Sequence, residues 1–143
     1  MSAQLGRENV HDLEPQDVAR GLAEGKVLLV DVREPVETQV ERYPEAFYLP
    51  MSQFDPAAIP DPQGRQVVFA CRSGNRSVTA SLMAQAAGLP YDAHLAGGIK
   101  AWKALGLRLH RFPDIDQQDL ALGKTARNIL WFQIVHIFPA KLG

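Results

Sequence analysis

The chain has 143 residues, of which 46% are hydrophobic and 22% are charged, and its formal net charge is −1. This length fits one domain of ordinary size with its own core. The charge balance excludes proteins that bind nucleic acid through a basic surface, because no excess of lysine and arginine is present to neutralise phosphates. The N-terminal stretch has no apolar run of signal-peptide length, and one cysteine allows no internal disulfide, so we expect a cytoplasmic location.

The first two predicted elements are a helix and a buried strand. His11 to Gly25 predicts a short helix, in which Leu13, Val18 and Leu22 form an apolar spine. Val27 to Val32 is an uninterrupted aliphatic run, which is typical of a strand buried on both faces.

The alternation of strands and helices continues along the chain. The pattern predicts one or two helical turns over Pro35 to Glu41, a strand over Phe47 to Leu49, a proline-rich loop over Asp55 to Gly64, a strand over Gln66 to Ala70, a helix over Val78 to Ala87 ended by Gly88, a strand over Tyr91 to Leu95, a helix over Ile99 to Leu105 and a strand over Leu107 to Leu109. We therefore expect an α/β fold with a small parallel sheet flanked by helices on both faces. Ligand sites of such sheets lie beyond the carboxyl ends of the strands, where Asp31 and Cys71 both stand.

Cys71 is the only cysteine, and it lies on the turn between a predicted strand and a predicted helix. Backbone N–H groups on such a turn, and the positive end of the following helix, stabilise an anion on sulfur. A free thiol titrates near ~8.5, and this environment lowers that value. The alternative is a small buried hydrophobe. The loop sequence CRSGNRS argues against it, because two unpaired guanidiniums in a core turn would be costly.

Four segments together resemble a known family. VLLVDVREPVE, YPEAFYLPMSQF, VVFACRSGNRS and HLAGGIKAW stand in the order and spacing of the single-domain rhodaneses, which are sulfurtransferases. The resemblance runs from about Val10 to His110. It implies a small α/β domain whose Cys71 passes a sulfane sulfur, held as a persulfide, from a donor to a thiophilic acceptor. We accordingly expect a rhodanese-like domain in residues 1–110 and a C-terminal extension in residues 111–143.

The resemblance also implies roles for the loop after Cys71. The residues expected to bind the donor and cradle the persulfide are Arg72, Ser73, Gly74, Asn75, Arg76 and Ser77. The two arginines favour an anionic donor, thiosulfate before mercaptopyruvate. With no second cysteine, the sulfur must leave to an external acceptor such as cyanide or a thiol. A different class stays open, namely a non-catalytic or regulatory module, acting as a sulfur carrier or a redox-sensing thiol that recruits a protein partner.

Loop length separates this chain from phosphatases of the cysteine-arginine type. Four residues lie between Cys71 and Arg76, whereas those phosphatases place five there to fit a tetrahedral phosphate. The shorter loop is expected to fit a single sulfur atom, which favours sulfur transfer over dephosphorylation.

Several polar residues admit two interpretations. Asp31 and Arg33 either order the active-site loop or, as we favour, form a structural ion-pair arrangement with Glu37 at the strand ends. Ser77 either donates to the persulfide or caps the helix, and capping is favoured. His94 either borders the site or is an ordinary strand-end histidine, which is favoured. The four histidines show no metal-ligand spacing, so we expect no metal and no cofactor.

One segment departs from the family pattern. Relatives usually show glycine-histidine-isoleucine-proline-glycine-alanine before the second strand, whereas Glu41 to Ala46 reads ERYPEA. Glu45 stands at the second glycine, and a glutamate disfavours positive φ. We expect this loop to differ in backbone freedom, with consequences for acceptor docking or local stability.

The extension carries a dense apolar segment. Ile129 to Phe138 has eight aliphatic or aromatic residues in ten, well short of the ~20 that a membrane span needs. We expect the segment either to pack on its own domain, which is favoured, or to dock on a protein partner or a second copy in a homodimer. Binding to a membrane surface is a lesser alternative, because few basic residues accompany the segment.

Overall fold

The computed structural model describes residues 5–111. The predictions for residues 112–143, including the apolar segment Ile129 to Phe138, lie outside the described residues. Within residues 5–111 the strands are β1 (His11–Leu13), β2 (Val27–Asp31), β3 (Glu41–Arg42), β4 (Phe47–Tyr48), β5 (Gln66–Ala70), β6 (Ala93–Leu95) and β7 (His110–Arg111). The α-helices are α1 (Pro15–Ala23), α2 (Pro35–Thr38), α3 (Arg76–Ala86) and α4 (Gly98–Ala104), and short 3-10 helices cover Arg7–Asn9, Met51–Gln53 and Pro56–Ala58.

Five strands form a parallel sheet in the order β1-β6-β5-β2-β4, and β3 pairs with β7 in a separate antiparallel ribbon. The two central strands, β5 and β2, consist almost entirely of buried apolar residues. Their side chains alternate between the two faces of the sheet. α1 and α4 cover one face, where the core contains Val18, Leu22, Leu29, Val68, Ile99 and Trp102. α3 covers the other face, where the core contains Leu28, Val30, Phe69, Ala80 and Ala84. The predicted α/β sheet with helices on both faces is confirmed.

The predicted start of the first helix is wrong. His11–Leu13 is a strand that pairs in parallel with Ala93–Leu95 at one edge of the sheet. The helix begins only at Pro15, after Glu14 with extended backbone angles (φ −74°, ψ 146°). A residue before proline is disfavoured in the helical region, because the proline ring crowds its backbone. The chain therefore stays extended through Leu13 and pairs with β6.

The ribbon of β3 and β7 is the second difference. Glu41 was predicted to end a helix and Leu107 to Leu109 to form the last strand, whereas α2 ends at Thr38 and Glu41–Arg42 pairs with His110–Arg111. Leu107 and Leu109 instead pack against the core cluster that contains Trp102.

Candidate active site

Cys71 is the first residue after β5, at the carboxyl end of the central strand of the sheet. Its residue surface is 1% exposed, on the α3 side of the sheet. The sulfur Sγ accepts hydrogen bonds from the backbone N–H of Gly74 at 3.1 Å and of Ser77 at 3.4 Å. Gly74 has φ +98°, a conformation that glycine adopts readily and that turns the loop around the sulfur. The thiol is therefore buried, and backbone donors from the loop point at it.

Two opposing effects act on the ionisation of Cys71. Burial raises the pKa of the thiol, because it disfavours the charged form. Hydrogen bonds from the hydroxyl and N–H of Ser77, and from the N–H groups of Gly74 and Ser73, lower the pKa and outweigh burial. The pKa of Cys71 consequently lies below its ordinary value, which favours the thiolate.

The backbone of the loop is held from behind by two elements. The carbonyl of Cys71 accepts the hydroxyl of Tyr43 at 2.6 Å and the N–H of Ile99 at 2.9 Å. Gly98 allows this approach of α4, because a Cβ on Gly98 would lie 2.4 Å from the carbonyl oxygen of Arg72. Gly98, the first residue of α4, thus permits a close contact between this helix and the Cys71 loop.

Asp31 and Arg33 form a buried ion pair, in which each side chain is 2% exposed. Nη2 of Arg33 lies 2.8 Å from Oδ2 of Asp31. The same Nη2 donates to the carbonyl of Glu41 at 3.0 Å, and the guanidinium lies 5.3 Å from the centre of the Tyr43 ring. Neither charged group touches the sulfur. This arrangement supports the structural interpretation of the pair, whose Arg33 contacts the same Tyr43 that binds the Cys71 carbonyl. Sequence reasoning missed Tyr43, because only the fold brings its hydroxyl to Cys71.

The two loop arginines have different surroundings. Arg76 makes a bidentate ion pair with Glu37, at 2.6 and 2.8 Å. This pairing lowers the pKa of Glu37 and raises that of Arg76. Arg72 is exposed and makes no side-chain hydrogen bond or ion pair with any residue between 5 and 111. Glu37 therefore pairs with Arg76 rather than joining Asp31 and Arg33, and Arg72 is the loop cation that remains available to a ligand.

Ser77 does not cap α3, which corrects the favoured prediction. The helix begins at Arg76, so Ser77 lies inside its first turn, after Asn75 at the cap position. The Ser77 hydroxyl lies 3.4 Å from Sγ of Cys71 and 2.8 Å from Nδ1 of His94. Ser73 and Asn75 are exposed, and both line a hollow that also borders His94.

His94 is also not an ordinary strand-end histidine. It is 2% exposed, and its second ring nitrogen, Nε2, lies 2.6 Å from Oδ1 of Asp12. The hydrogen bond with His94, followed by the contact with Arg7, lowers the pKa of Asp12. Asp12 and His94 are register partners in β1 and β6, so their side chains share one face of the sheet. The pair escaped sequence reasoning because β1 was predicted as part of a helix.

A hollow of about 350 Å³ adjoins this array. Its lining includes Arg7, Asp12, Gly74, Asn75 and His94. It gives solvent access to the Asp12 end of the array. Between residues 5 and 111, no three histidine, cysteine or acidic side chains are grouped to hold a metal ion. In the same range, no helix has the length and apolar content to cross a bilayer.

The comparison with protein families decides the assignment. A family model described as the rhodanese-like domain matches residues 14–105, which is more than half of the chain. The chain belongs to the rhodanese-like domain family.

Named relatives of this rhodanese-like chain include a sulfurtransferase of Allochromatium vinosum, 36% identical over 99 residues, which are 68% of this chain and 92% of that protein. An uncharacterised protein of Synechocystis is 43% identical over 81 residues, 57% of this chain and 45% of that protein, so the match spans less than half of that relative. A thiosulfate sulfurtransferase structure from Pseudomonas aeruginosa superposes with a TM-score of 0.63 at 23% identity. The superposition covers 73% of this chain and 21% of that one and supports the fold.

The loop that departs from the rhodanese pattern keeps a positive φ. Glu45 has φ +55°, although a glutamate disfavours this region. The effect of this departure on backbone freedom, acceptor docking or local stability stays a prediction. The residues on both sides are fixed, because Tyr43 is buried and β4 pairs with β2, so the chain holds Glu45 in a conformation that suits glycine.

Proposed function

We propose that this protein is a sulfurtransferase that moves a sulfane sulfur from an anionic donor, thiosulfate first, through a persulfide on Cys71 to cyanide or a thiol. The observation that carries the proposal is the set of donors around Sγ of Cys71, at 3.1 Å from Gly74 and 3.4 Å from Ser77. Donors placed in this way stabilise negative charge on sulfur, in the thiolate and in the anionic persulfide.

The reaction proceeds in two displacements. The Cys71 thiolate attacks the outer sulfur of thiosulfate, the sulfur–sulfur bond of the donor breaks, and its electron pair leaves with sulfite. Cys71 now carries the anionic persulfide. Cyanide or an acceptor thiolate then attacks the outer sulfur, the bond to Cys71 breaks, and thiocyanate or a new persulfide leaves. The Cys71 thiolate is restored without an external oxidant or reductant.

Arg72 is the group that we assign to donor attraction. Arg72 lies in the loop after Cys71, is exposed, and has no charged partner among residues 5–111. The charge of Arg76, by contrast, is neutralised by Glu37. We expect Arg72→Gln to raise the KM for thiosulfate by about fivefold, the effect of one exposed charge contact. Arg20→Gln is the matched control, because Arg20 is an exposed arginine on α1, at the opposite face of the sheet. An equal KM for both variants would remove Arg72 from the donor site.

The burial of Cys71 supports a second candidate function, a regulatory or sulfur-carrying module, since a closed thiol limits the access of bulky acceptors. Steady-state turnover separates the two. The sulfurtransferase releases thiocyanate from thiosulfate and cyanide over many cycles, and Cys71→Ser abolishes the release. A module that reacts once per molecule would give a single stoichiometric release and no further product.

A further inference from the structure

A line of four polar side chains connects Cys71 with the protein surface. Sγ of Cys71 lies 3.4 Å from Oγ of Ser77, that oxygen lies 2.8 Å from Nδ1 of His94, and Nε2 of His94 lies 2.6 Å from Oδ1 of Asp12. The first three residues are buried, whereas the Asp12 side chain is 53% exposed. The array thus joins a thiol that is closed to bulk water with a carboxylate that is open to it.

The donors and acceptors of these groups allow two complete hydrogen-bond patterns. With Asp12 ionised, Nε2 of His94 carries a hydrogen and donates it to the carboxylate. In the first pattern, the thiol S–H donates to the Ser77 oxygen, and the hydroxyl donates to the bare Nδ1 of a neutral imidazole. In the second, Nδ1–H donates to the Ser77 oxygen, and the hydroxyl donates to a thiolate. The patterns differ by one proton, which moves from sulfur to Nδ1 through the hydroxyl.

We propose that Asp12, His94 and Ser77 form a proton relay that holds the second pattern at rest, so that the Cys71 thiolate is paired with a His94 imidazolium through the Ser77 hydroxyl. The sulfur–hydrogen bond breaks, its proton goes to the Ser77 oxygen, and the hydroxyl proton goes to Nδ1. One negative and one positive charge form together, with no oxidant or reductant. Asp12 and His94 are positioning residues, because neither touches the sulfur. The inference rests on the proposed function in taking Cys71 as the nucleophile.

The surroundings of the sulfur favour the second pattern. In that pattern the thiolate accepts three hydrogen bonds, from the Ser77 hydroxyl and from the N–H groups of Gly74 and Ser77. A thiol accepts hydrogen bonds weakly, so the same donors stabilise it less. At the far end, the Asp12 carboxylate fixes the hydrogen on Nε2 and stabilises the imidazolium.

The other ionisable groups around the array do not replace His94. Arg7 contacts the Asp12 carboxylate at the surface end. Arg76 faces Cys71 from α3, but Glu37 neutralises its charge. Tyr43 lies behind the Cys71 carbonyl, and burial raises its pKa, which keeps it neutral. Among the described residues, His94 is therefore the basic group nearest to the sulfur along the hydrogen-bonded path.

The test is a pH titration of the Cys71 thiolate by its ultraviolet absorbance, with the spectrum of Cys71→Ser subtracted. Cys71 is the only cysteine, so the signal belongs to one site. We expect His94→Gln to raise the midpoint by about one pH unit or more, because glutamine fills the space without accepting a proton. Asp12→Asn, which keeps an acceptor for Nε2–H and removes the charge, raises the midpoint by a smaller amount.

His11→Gln is the matched control. His11 lies next to Asp12 on the same strand and is exposed, and its partner is Asp92 at 3.4 Å, away from the sulfur. Its midpoint is expected to equal that of the wild type. If His94 had a purely structural role, His94→Gln would lower the stability or the alkylation rate without moving the titration midpoint of Cys71.

The relay is refuted by an unchanged midpoint in folded His94→Gln and Asp12→Asn, or by an equal shift in His11→Gln. If His94→Gln does not fold, as judged by circular dichroism, the half-exposed Asp12→Asn decides the question by itself. Intact mass after thiosulfate treatment of the wild type is recorded in parallel. A missing sulfur adduct there refutes the proposed sulfur transfer, while the midpoints still test the relay.

Discussion

Tyr43→Phe tests how the buried hydroxyl behind the active-site loop contributes to stability. Tyr43 is 2% exposed, and its hydroxyl donates to the carbonyl of Cys71 at 2.6 Å. Phenylalanine keeps the edge-to-face contact with Trp102, whose ring centre lies 5.4 Å away, and the contact with Arg33. The substitution therefore removes one hydrogen bond and leaves the packing in place.

The size of the expected loss of stability depends on a second donor to the Cys71 carbonyl. The N–H of Ile99 also donates to the carbonyl of Cys71, at 2.9 Å, so the carbonyl keeps a partner in the variant. The loss is then the net value of one hydrogen bond, about 1 kcal/mol, and not the larger cost of an unsatisfied buried group. For a domain of this size we expect a fall in Tm of about 4 °C.

Urea unfolding at equilibrium measures the change, with Tyr48→Phe as the control. Tyr48 is the same residue type on the edge strand β4 and is 36% exposed, so its substitution is expected to change stability by less than about 0.5 kcal/mol. Equal stabilities for Tyr43→Phe and the wild type would refute the contribution of the hydroxyl. A loss of about 3 kcal/mol or more would refute the second-donor argument, because it would mean that the carbonyl is left unsatisfied.

Three further predictions concern the same region. Gly98→Ala is expected to lower the free energy of unfolding in urea by at least about 1 kcal/mol more than Gly88→Ala. Both glycines have positive φ, but of the two only Gly98 would place a Cβ within 3 Å of backbone atoms. Equal losses in the two variants would contradict the close contact. Glu45→Gly is expected to raise the stability measured by thermal unfolding by up to about 1 kcal/mol. Glycine adopts the positive φ of this position without strain, although it loses more chain entropy on folding. A lower stability of the variant would contradict the strain at Glu45. The third prediction concerns Glu37→Gln. Arg76 lowers the pKa of Glu37 in the folded protein below its ordinary value of 4.5. The ion pair therefore stabilises the fold at pH values above 4.5, and this stabilisation is lost as the pH falls through the lowered pKa of the folded protein. The stability gap between wild type and Glu37→Gln should therefore narrow on acidification, and a gap independent of pH would contradict the pairing.

The sequence predicted the central part of the fold because that part depends on strong local patterns. β2 and β5 are apolar runs flanked by turns, and the structure places them side by side at the centre of the sheet. Parallel strands end at one edge, so the position of Cys71 at that edge followed from the pattern alone. The glycines of the loop and before α4 likewise indicated tight backbone turns, which the structure has.

The parts that escaped prediction depend on contacts between distant segments. β1 is three residues long and has no strand pattern of its own, and it exists because β6 offers it an edge. Because β1 was not predicted, nothing in the sequence indicated that Asp12 contacts His94. The positive φ of Glu45 is a similar case, since local preference opposes it and the fixed neighbours on both sides impose it.

In the proposed reaction, Cys71 accepts and holds a single sulfur atom. Intact-mass measurement after incubation with thiosulfate and removal of excess reagent tests it most directly. We expect a gain of about 32 Da in the wild type, reversed by cyanide, and no gain in Cys71→Ser. An unmodified mass for the folded wild type with thiosulfate and with other sulfane donors would contradict it.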